Sequence, residues 1–303
     1  MAARSAQGGS RKVVYAALAG NLAIAATKAA AAWYTGSSAM TSEAIHSLVD
    51  TGNQALLLYG MWRSQLPADE VHPLGHGREL YFWAFIVALL IFSLGAGMSF
   101  YEGITHLAHP VAIANPLVAY GVLGLSLVFE GASWTVAMRE FHASKGRSGW
   151  LDAVAESKDP STYTVLFEDS AAVLGLVFAM LGTLGAQMLG RPEMDGWASI
   201  GIAVILGATA IFLARESKGL LIGERARPAL GRSLCRLASE SQGVSDARAV
   251  MTIHLAPDQV VAALDLHFDP EMRGREITRA SADLEAKIKA AHPEVTKMFL
   301  RLR

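Results

Sequence analysis

Ser38–Leu58, SAMTSEAIHSLVDTGNQALLL, decides how this chain is read: an apolar-flanked stretch, it carries Glu43, His46, Asp50 and Asn53 in a region otherwise suited to lipid or a bundle interior. Each residue of an α-helix turns by about 100°, so spacings of three, four and three bring the four polar groups within roughly a quarter of the circumference. The stretch is therefore expected to be a helix with one polar stripe. Ionisable groups inside a membrane are costly and line a water-filled path, pair with one another, or meet an ion. His46 and Asp50, one turn apart, can aim an imidazole nitrogen and a carboxylate oxygen at one ion, a ligand mix suited to a borderline divalent cation such as zinc. A buried histidine–aspartate hydrogen bond that fixes a helix pair is the competing reading.

The totals support a membrane setting. Of 303 residues, 52% are hydrophobic and only 17% charged, and the mean hydropathy of +0.32 points to a substantial embedded part. A formal net charge of −1 gives nucleic acid no electrostatic foothold. The single cysteine, Cys235, excludes an intramolecular disulfide and a multi-cysteine zinc cluster.

Six segments approach the roughly 20 apolar residues needed to cross a bilayer: Val13–Tyr34, Met40–Trp62, Tyr81–Leu107, Pro116–Met138, Thr162–Leu189 and Ala198–Leu213. Arg4, Arg11 and Lys12 precede the first, Arg63 and Arg78 follow the second, Arg139, Lys145, Arg147 and Lys158 follow the fourth, and Arg215 and Lys218 follow the sixth. The opposite loops contain only Arg191. By the positive-inside rule both termini are expected in the cytoplasm. Met1–Lys12 shows no cleavable signal pattern, so it is expected to be a cytoplasmic tail, and a bacterial inner membrane is the expected location.

From about Lys218 charged residues become frequent. Pro228–Ser241 and Arg275–Ala291 have helical periodicity, and Ala247–His254, Val260–Phe268 and Val295–Leu302 read as strands. This α-β-β-α-β order predicts a small sheet with helices on one face. The expected domains are a tail over 1–12, a six-helix transmembrane domain over 13–216 and a soluble α+β domain over 217–303.

Three stretches resemble the cation diffusion facilitator family of divalent-metal/proton antiporters, most of all its zinc transporter nine-like branch. TGSSAMTSEAIHSLVDTGN is similar to the family's second transmembrane helix, with His46 and Asp50 at its two metal-ligand positions. LPADEVHPLGHGRELY is similar to the loop that follows, with Asp69, His72 and His76 as metal-capable positions, and FEDSAAVLG to part of the fifth helix, with Asp169 at its second ligand position. The resemblance implies a homodimer of six-helix protomers, each with a cytoplasmic ferredoxin-like domain, exporting zinc or a similar ion (manganese, iron, cobalt) in exchange for protons. It implies no cofactor; the divalent cation is cargo.

The chain departs from the family at Val165, where zinc-transporting relatives usually carry a histidine or aspartate. Glu168 and Asp169 straddle the helix face of Val165, so Glu168 can complete the set with His46, Asp50 and Asp169. The alternative gives Glu168 to Lys28 or to a backbone donor. Glu130, alone in the fourth span, is read as a partner of Lys28 or a proton relay. Glu102 and His106 are read as a solvated pair. His254, His267 and His292 have no spacing that requires a metal, and His292 suits a helix C-terminus as a cation. The 69–76 loop, shaped by Pro67, Pro73 and Gly75, reads either as a zinc site or as a solvated loop.

Protons and metal compete for neutral imidazole and ionised carboxylates, and free histidine titrates at about 6.5, so competition alone can couple two fluxes. A second function class remains: a membrane-embedded sensor or scaffold that binds metal without moving it.

Overall fold

The structure, a computed structural model, describes residues 21–113, 115–145 and 158–303. The Met1–Lys12 tail, the start of the first span and Arg147 lie outside them. The chain divides into two compact units. The first contains the described parts of Met1–Tyr59, Trp83–Ala153 and Pro160–Glu216, and the second those of Gly60–Phe82, Val154–Asp159 and Ser217–Arg303.

The first unit is built from helix α1 (residues 21–35), α2 (Ser38–Ser64), α3 (Glu79–Leu90), a π-helical turn π1 (Ile91–Ala96), α4 (Gly97–Ala108), α5 (Pro116–Lys145), α6 (Pro160–Leu189) and α7 (Glu193–Ile222), of which residues 60–64, 79–82 and 217–222 fall in the second unit. The segments Glu79–Ala108, Pro116–Arg139, Tyr163–Leu189 and Glu193–Ile222 are each long and apolar enough to cross a bilayer. At 27 residues α2 is also long enough, but its polar stripe dilutes its hydropathy. Large apolar side chains face outward along these helices, among them Leu117 at 85%, Val128 at 68% and Ile211 at 62% exposure. Such a surface is unfavourable in water and suits hydrocarbon. Inside, glycines let backbones approach: a Cβ on Gly103 of α4 would stand 2.7 Å from Ile200 Cγ1 and 2.9 Å from the Gly196 carbonyl of α7.

The second unit carries α8 (Pro228–Ser239), β1 (Val244–Ala256), β2 (Gln259–Phe268), α9 (Gly274–Ala291) and β3 (Val295–Leu302). The α-β-β-α-β order is the expected one. The sheet runs β1-β2-β3, antiparallel between β1 and β2 and parallel between β2 and β3, with α9 as the crossover that a parallel pair requires. Alternation places Ala262, Leu264, Leu266 and Phe268 of β2 on one face, where they pack with Leu234 and Ala238 of α8 and Leu284 and Ile288 of α9. On the other face Met251, Ala263 and Phe299 lie side by side across the three strands, and Met251 and Phe299 are 45% and 56% exposed.

His254 of β1 is buried, with Nδ1 3.2 Å from the Ala256 carbonyl, and burial lowers its pKa below the ordinary histidine value. Its neutral form is thus favoured in the fold, while the unfolded chain takes up a proton at about pH 6.5. Stability from this residue is present above that pH and lost as pH falls below it. Hydrogen exchange on the full chain should show β1 and β2 amides less protected at pH 5.5 than at pH 7.5, with a smaller difference in His254→Gln.

Candidate metal centres

The polar stripe of α2 is held in place from both ends. At its start, Ser37 Oγ accepts the Met40 N–H at 3.1 Å, and Asp195 of α7 accepts from the Ser38 N–H at 2.6 Å, the Ala39 N–H at 3.2 Å and the Ser37 hydroxyl at 2.8 Å. A carboxylate there satisfies donors that the first turn leaves free and complements the helix dipole. His106, expected in a solvated pair with Glu102, instead joins this network: it is 6% exposed, with Nδ1 2.9 Å from Ser38 Oγ and 3.5 Å from Asp195 Oδ2. Sequence reasoning passed over Asp195. The available signal was an acid in the first turn of an apolar helix.

Further along α2, Glu43, His46 and Asn53 are buried at 0%, 1% and 0% exposure. Lys28 of α1, itself fully buried, donates to Glu43 Oε2 at 3.2 Å and Ser47 Oγ at 2.8 Å and lies 3.7 Å from Glu130 Oε1. Of the two partners proposed for Lys28, the structure thus supplies Glu130 and not Glu168. Glu168 accepts from the Asn53 side-chain amide at 2.9 Å. Asp169 accepts from the Ser133 hydroxyl at 2.9 Å, and the neighbouring Ser170 from the Trp134 indole N–H at 2.9 Å, which ties α6 to α5.

His46 Nε2 stands 3.4 Å from Asp50 Oδ2. Among the described residues, neither ring nitrogen of His46 has a hydrogen-bond partner, nor has Asp50 Oδ1. Unpaired buried polar atoms cost about 1–3 kcal/mol each, so a site that leaves three of them adjacent is chemically disposed to take a cation. A cavity of about 480 Å³ opens beside them, walled by Asp50 of α2, Glu130 and Ser133 of α5, and Glu168 and Asp169 of α6. His46 and Val165 are not among its walls. The sequence-predicted set is therefore brought to one region with three of its four members facing the cavity. It is not drawn into a tight cluster: among the described residues, three histidine, cysteine or acid groups with ligand atoms within 4.8 Å of one another occur only at Asp69, His72 and His76.

That trio lies in the second unit, in the segment between α2 and α3. Asp69 Oδ1 accepts the His72 backbone N–H at 2.5 Å, and the Gly75 N–H reaches the His72 carbonyl at 2.9 Å. Gly75, at φ +87°, supplies the left-handed turn that returns the chain so that His76 Nε2 sits 3.1 Å from Asp69 Oδ2. His72 Nδ1 is 3.2 Å from Asp69 Oδ1. The loop is seated against the β1–β2 hairpin, where a Cβ on Gly77 would stand 2.8 Å from the Leu255 carbonyl. The His72 backbone N–H, followed by the His76 imidazole, holds the Asp69 carboxyl down at about 2. An ionised carboxylate with two imidazoles is a donor set that a three-ligand zinc site with a water in the fourth position uses.

The histidines of the α+β domain are dispersed. His254 faces the Ala256 carbonyl, His267 sits opposite Asp246 in the β1–β2 ladder, and His292 Nε2 lies 2.8 Å from Ser233 Oγ.

Comparison with known proteins agrees with this architecture. The family described as the cation efflux transmembrane domain matches residues 14–222. The chain is 39% identical over 252 residues, 82% of its length and 44% of the relative's, to the mitochondrial proton-coupled zinc antiporter SLC30A9 of Xenopus laevis. It is 34% identical over 216 residues, 71% of its length and 47% of the relative's, to metal tolerance protein C4 of Arabidopsis thaliana. To the cation-efflux pump FieF of Salmonella arizonae it is 24% identical over 260 residues, 86% of its length and 81% of the relative's. The chain thus spans less than half the length of the frog and plant relatives.

Proposed function

The chain belongs to the cation efflux family, and we propose that it exports a divalent cation, zinc foremost, from the cytoplasm in exchange for protons. It is an integral membrane protein. One observation carries the proposal: Asp50 of α2 and Glu168 and Asp169 of α6 wall a single cavity within the bundle of membrane-spanning helices, with His46 at 3.4 Å from Asp50. The relatives' names, a zinc antiporter and an efflux pump, favour transport over a scaffold that binds without moving metal.

In this reading the cation enters from the cytoplasmic side and displaces protons from the carboxyl groups and from the His46 imidazolium, so that carboxylates and a neutral imidazole bind it. In the outward-facing state protons return to the same groups and the cation leaves. No covalent step is involved. Asp69, His72 and His76 form a second cation site on the cytoplasmic side, whose ionised Asp69 remains a ligand throughout the physiological range. Both termini are proposed to be cytoplasmic on the loop charges, and the membrane to be a bacterial inner membrane on the similarity to the Salmonella pump; the name of the frog relative carries the word mitochondrial, which favours a mitochondrial membrane as the second reading. A homodimer is proposed as well, with the exposed Met251 and Phe299 of the open sheet face as apolar contact area.

Zinc flux through proteoliposomes of the full chain should slow severalfold when an uncoupler collapses an imposed pH gradient. Flux unchanged by the uncoupler would count against antiport.

A further inference from the structure

The cavity receives a carboxylate from a helix that neither ligand motif includes. Glu130 projects from α5 into the same wall as Asp50, Glu168 and Asp169, with a side chain 17% exposed. Its Oε1 lies 3.7 Å from Lys28 Nζ, beyond hydrogen-bond reach. The ammonium gives its hydrogen bonds to Glu43 and Ser47 instead. Among the described residues Glu130 therefore has charge compensation but no hydrogen bond. A carboxylate in a membrane cavity is expensive unless a cation or a donor meets it.

Glu168 is differently placed. One of its oxygens is engaged by the buried amide of Asn53 at 2.9 Å, and that contact pins it to the far end of the stripe. Val165, the position at which the fifth helix lacks a ligand, does not reach the cavity. Glu130 does, and its side chain has the rotatable bonds to leave Lys28 and swing toward Asp50. The unpaired Asp50 Oδ1 and the two unpaired ring nitrogens of His46, a residue 1% exposed, are independent marks of where a cation would settle.

We propose that Glu130 is a direct ligand of the transported cation, supplying from α5 the donor that Val165 does not, so that the site draws on three helices. The proposal rests on the transport reading for the identity of the cation, not for its coordination. Lys28 holds Glu130 until the cation arrives and keeps Glu43 once Glu130 turns to the cation. A site that takes Asp50, Glu130 and Asp169 is rich in hard oxygen donors, which admits manganese beside zinc.

The test is equilibrium dialysis of the full chain with manganese and with zinc, scored on the ion that Asp50→Ala loses, alongside flux in proteoliposomes. Glu130→Gln should weaken that manganese binding about tenfold or more and zinc binding less, with an unchanged melting temperature; Glu130→His should tilt the preference toward zinc. Should Glu130→Gln fold poorly, Glu130→Asp retains the charge beside Lys28 and should still lower manganese affinity. Wild-type affinity for both ions in Glu130→Gln and Glu130→Asp overturns the proposal. A wild-type chain that binds the ion in a Glu130-dependent way but moves none overturns transport and leaves the ligand role standing.

Discussion

Lys28→Met is expected to lower the stability of the helical unit by about 3–5 kcal/mol, the penalty for breaking a buried ion pair on one side. Glu43 is fully buried, its Oε1 already lacks a partner, and Lys28 provides the only hydrogen bond to Oε2 among the described residues. Removing the ammonium leaves a buried carboxylate without compensation and deprives Glu130 of its 3.7 Å neighbour. The melting temperature of the detergent-solubilised chain should fall markedly in Lys28→Met and recover for the most part in Lys28→Met/Glu43→Gln, where both charges are gone. Lys28→Met melting with the wild type would mean that the pair contributes nothing.

Asp195→Ala should have the next largest effect. One carboxylate serves the Ser38 and Ala39 backbone N–H groups and the Ser37 hydroxyl, so its loss uncaps α2 and strands donors in a buried setting. The expected cost is about 2–4 kcal/mol, with Asp195→Asn milder because an amide oxygen can still accept. Hydrogen exchange at residues 38–41 reports it directly: those amides should exchange much faster in Asp195→Ala. Because α2 carries His46 and Asp50, the frayed start should also weaken cation binding two to three turns away.

How far the sequence alone reaches depends on the range of the interaction. Hydropathy and periodicity are local, so the third and fifth spans and all five elements of the α+β domain were readable to within a few residues; the fourth span continues as a helix to Lys145, and the sixth, read as Ala198–Leu213, runs over Glu193–Ile222. The polar stripe was readable for the same reason. Partner choice was not, because it joins residues far apart in the chain. Nothing near Glu168 indicates that Asn53, 115 positions away, holds it, and nothing near Ser37 points to Asp195, 158 positions away. His106 looked solvated because one helical turn shows only Glu102.

The metal-capable loop shows both sides of this. Asp69, His72 and His76 are close in sequence, and Pro73 and Gly75 between them already imply a turn, so their convergence was foreseeable. The seating of the loop against the β1–β2 hairpin was not, since Gly77 and Leu255 lie far apart in the chain. Within the bundle, the composition of α2 and α6 marked a candidate cation site, and the cavity found there is also walled by α5, whose Glu130 sequence reasoning left between a structural pair and a proton relay.

The measurement that bears most directly on the central claim is zinc uptake into proteoliposomes of the purified full chain under an imposed pH gradient, with Asp50→Ala alongside. If the bundle cavity carries the cation, the wild type takes up zinc in proportion to the gradient and Asp50→Ala falls to the level of empty vesicles. Uptake by Asp50→Ala at the wild-type rate would place the path elsewhere and contradict the account.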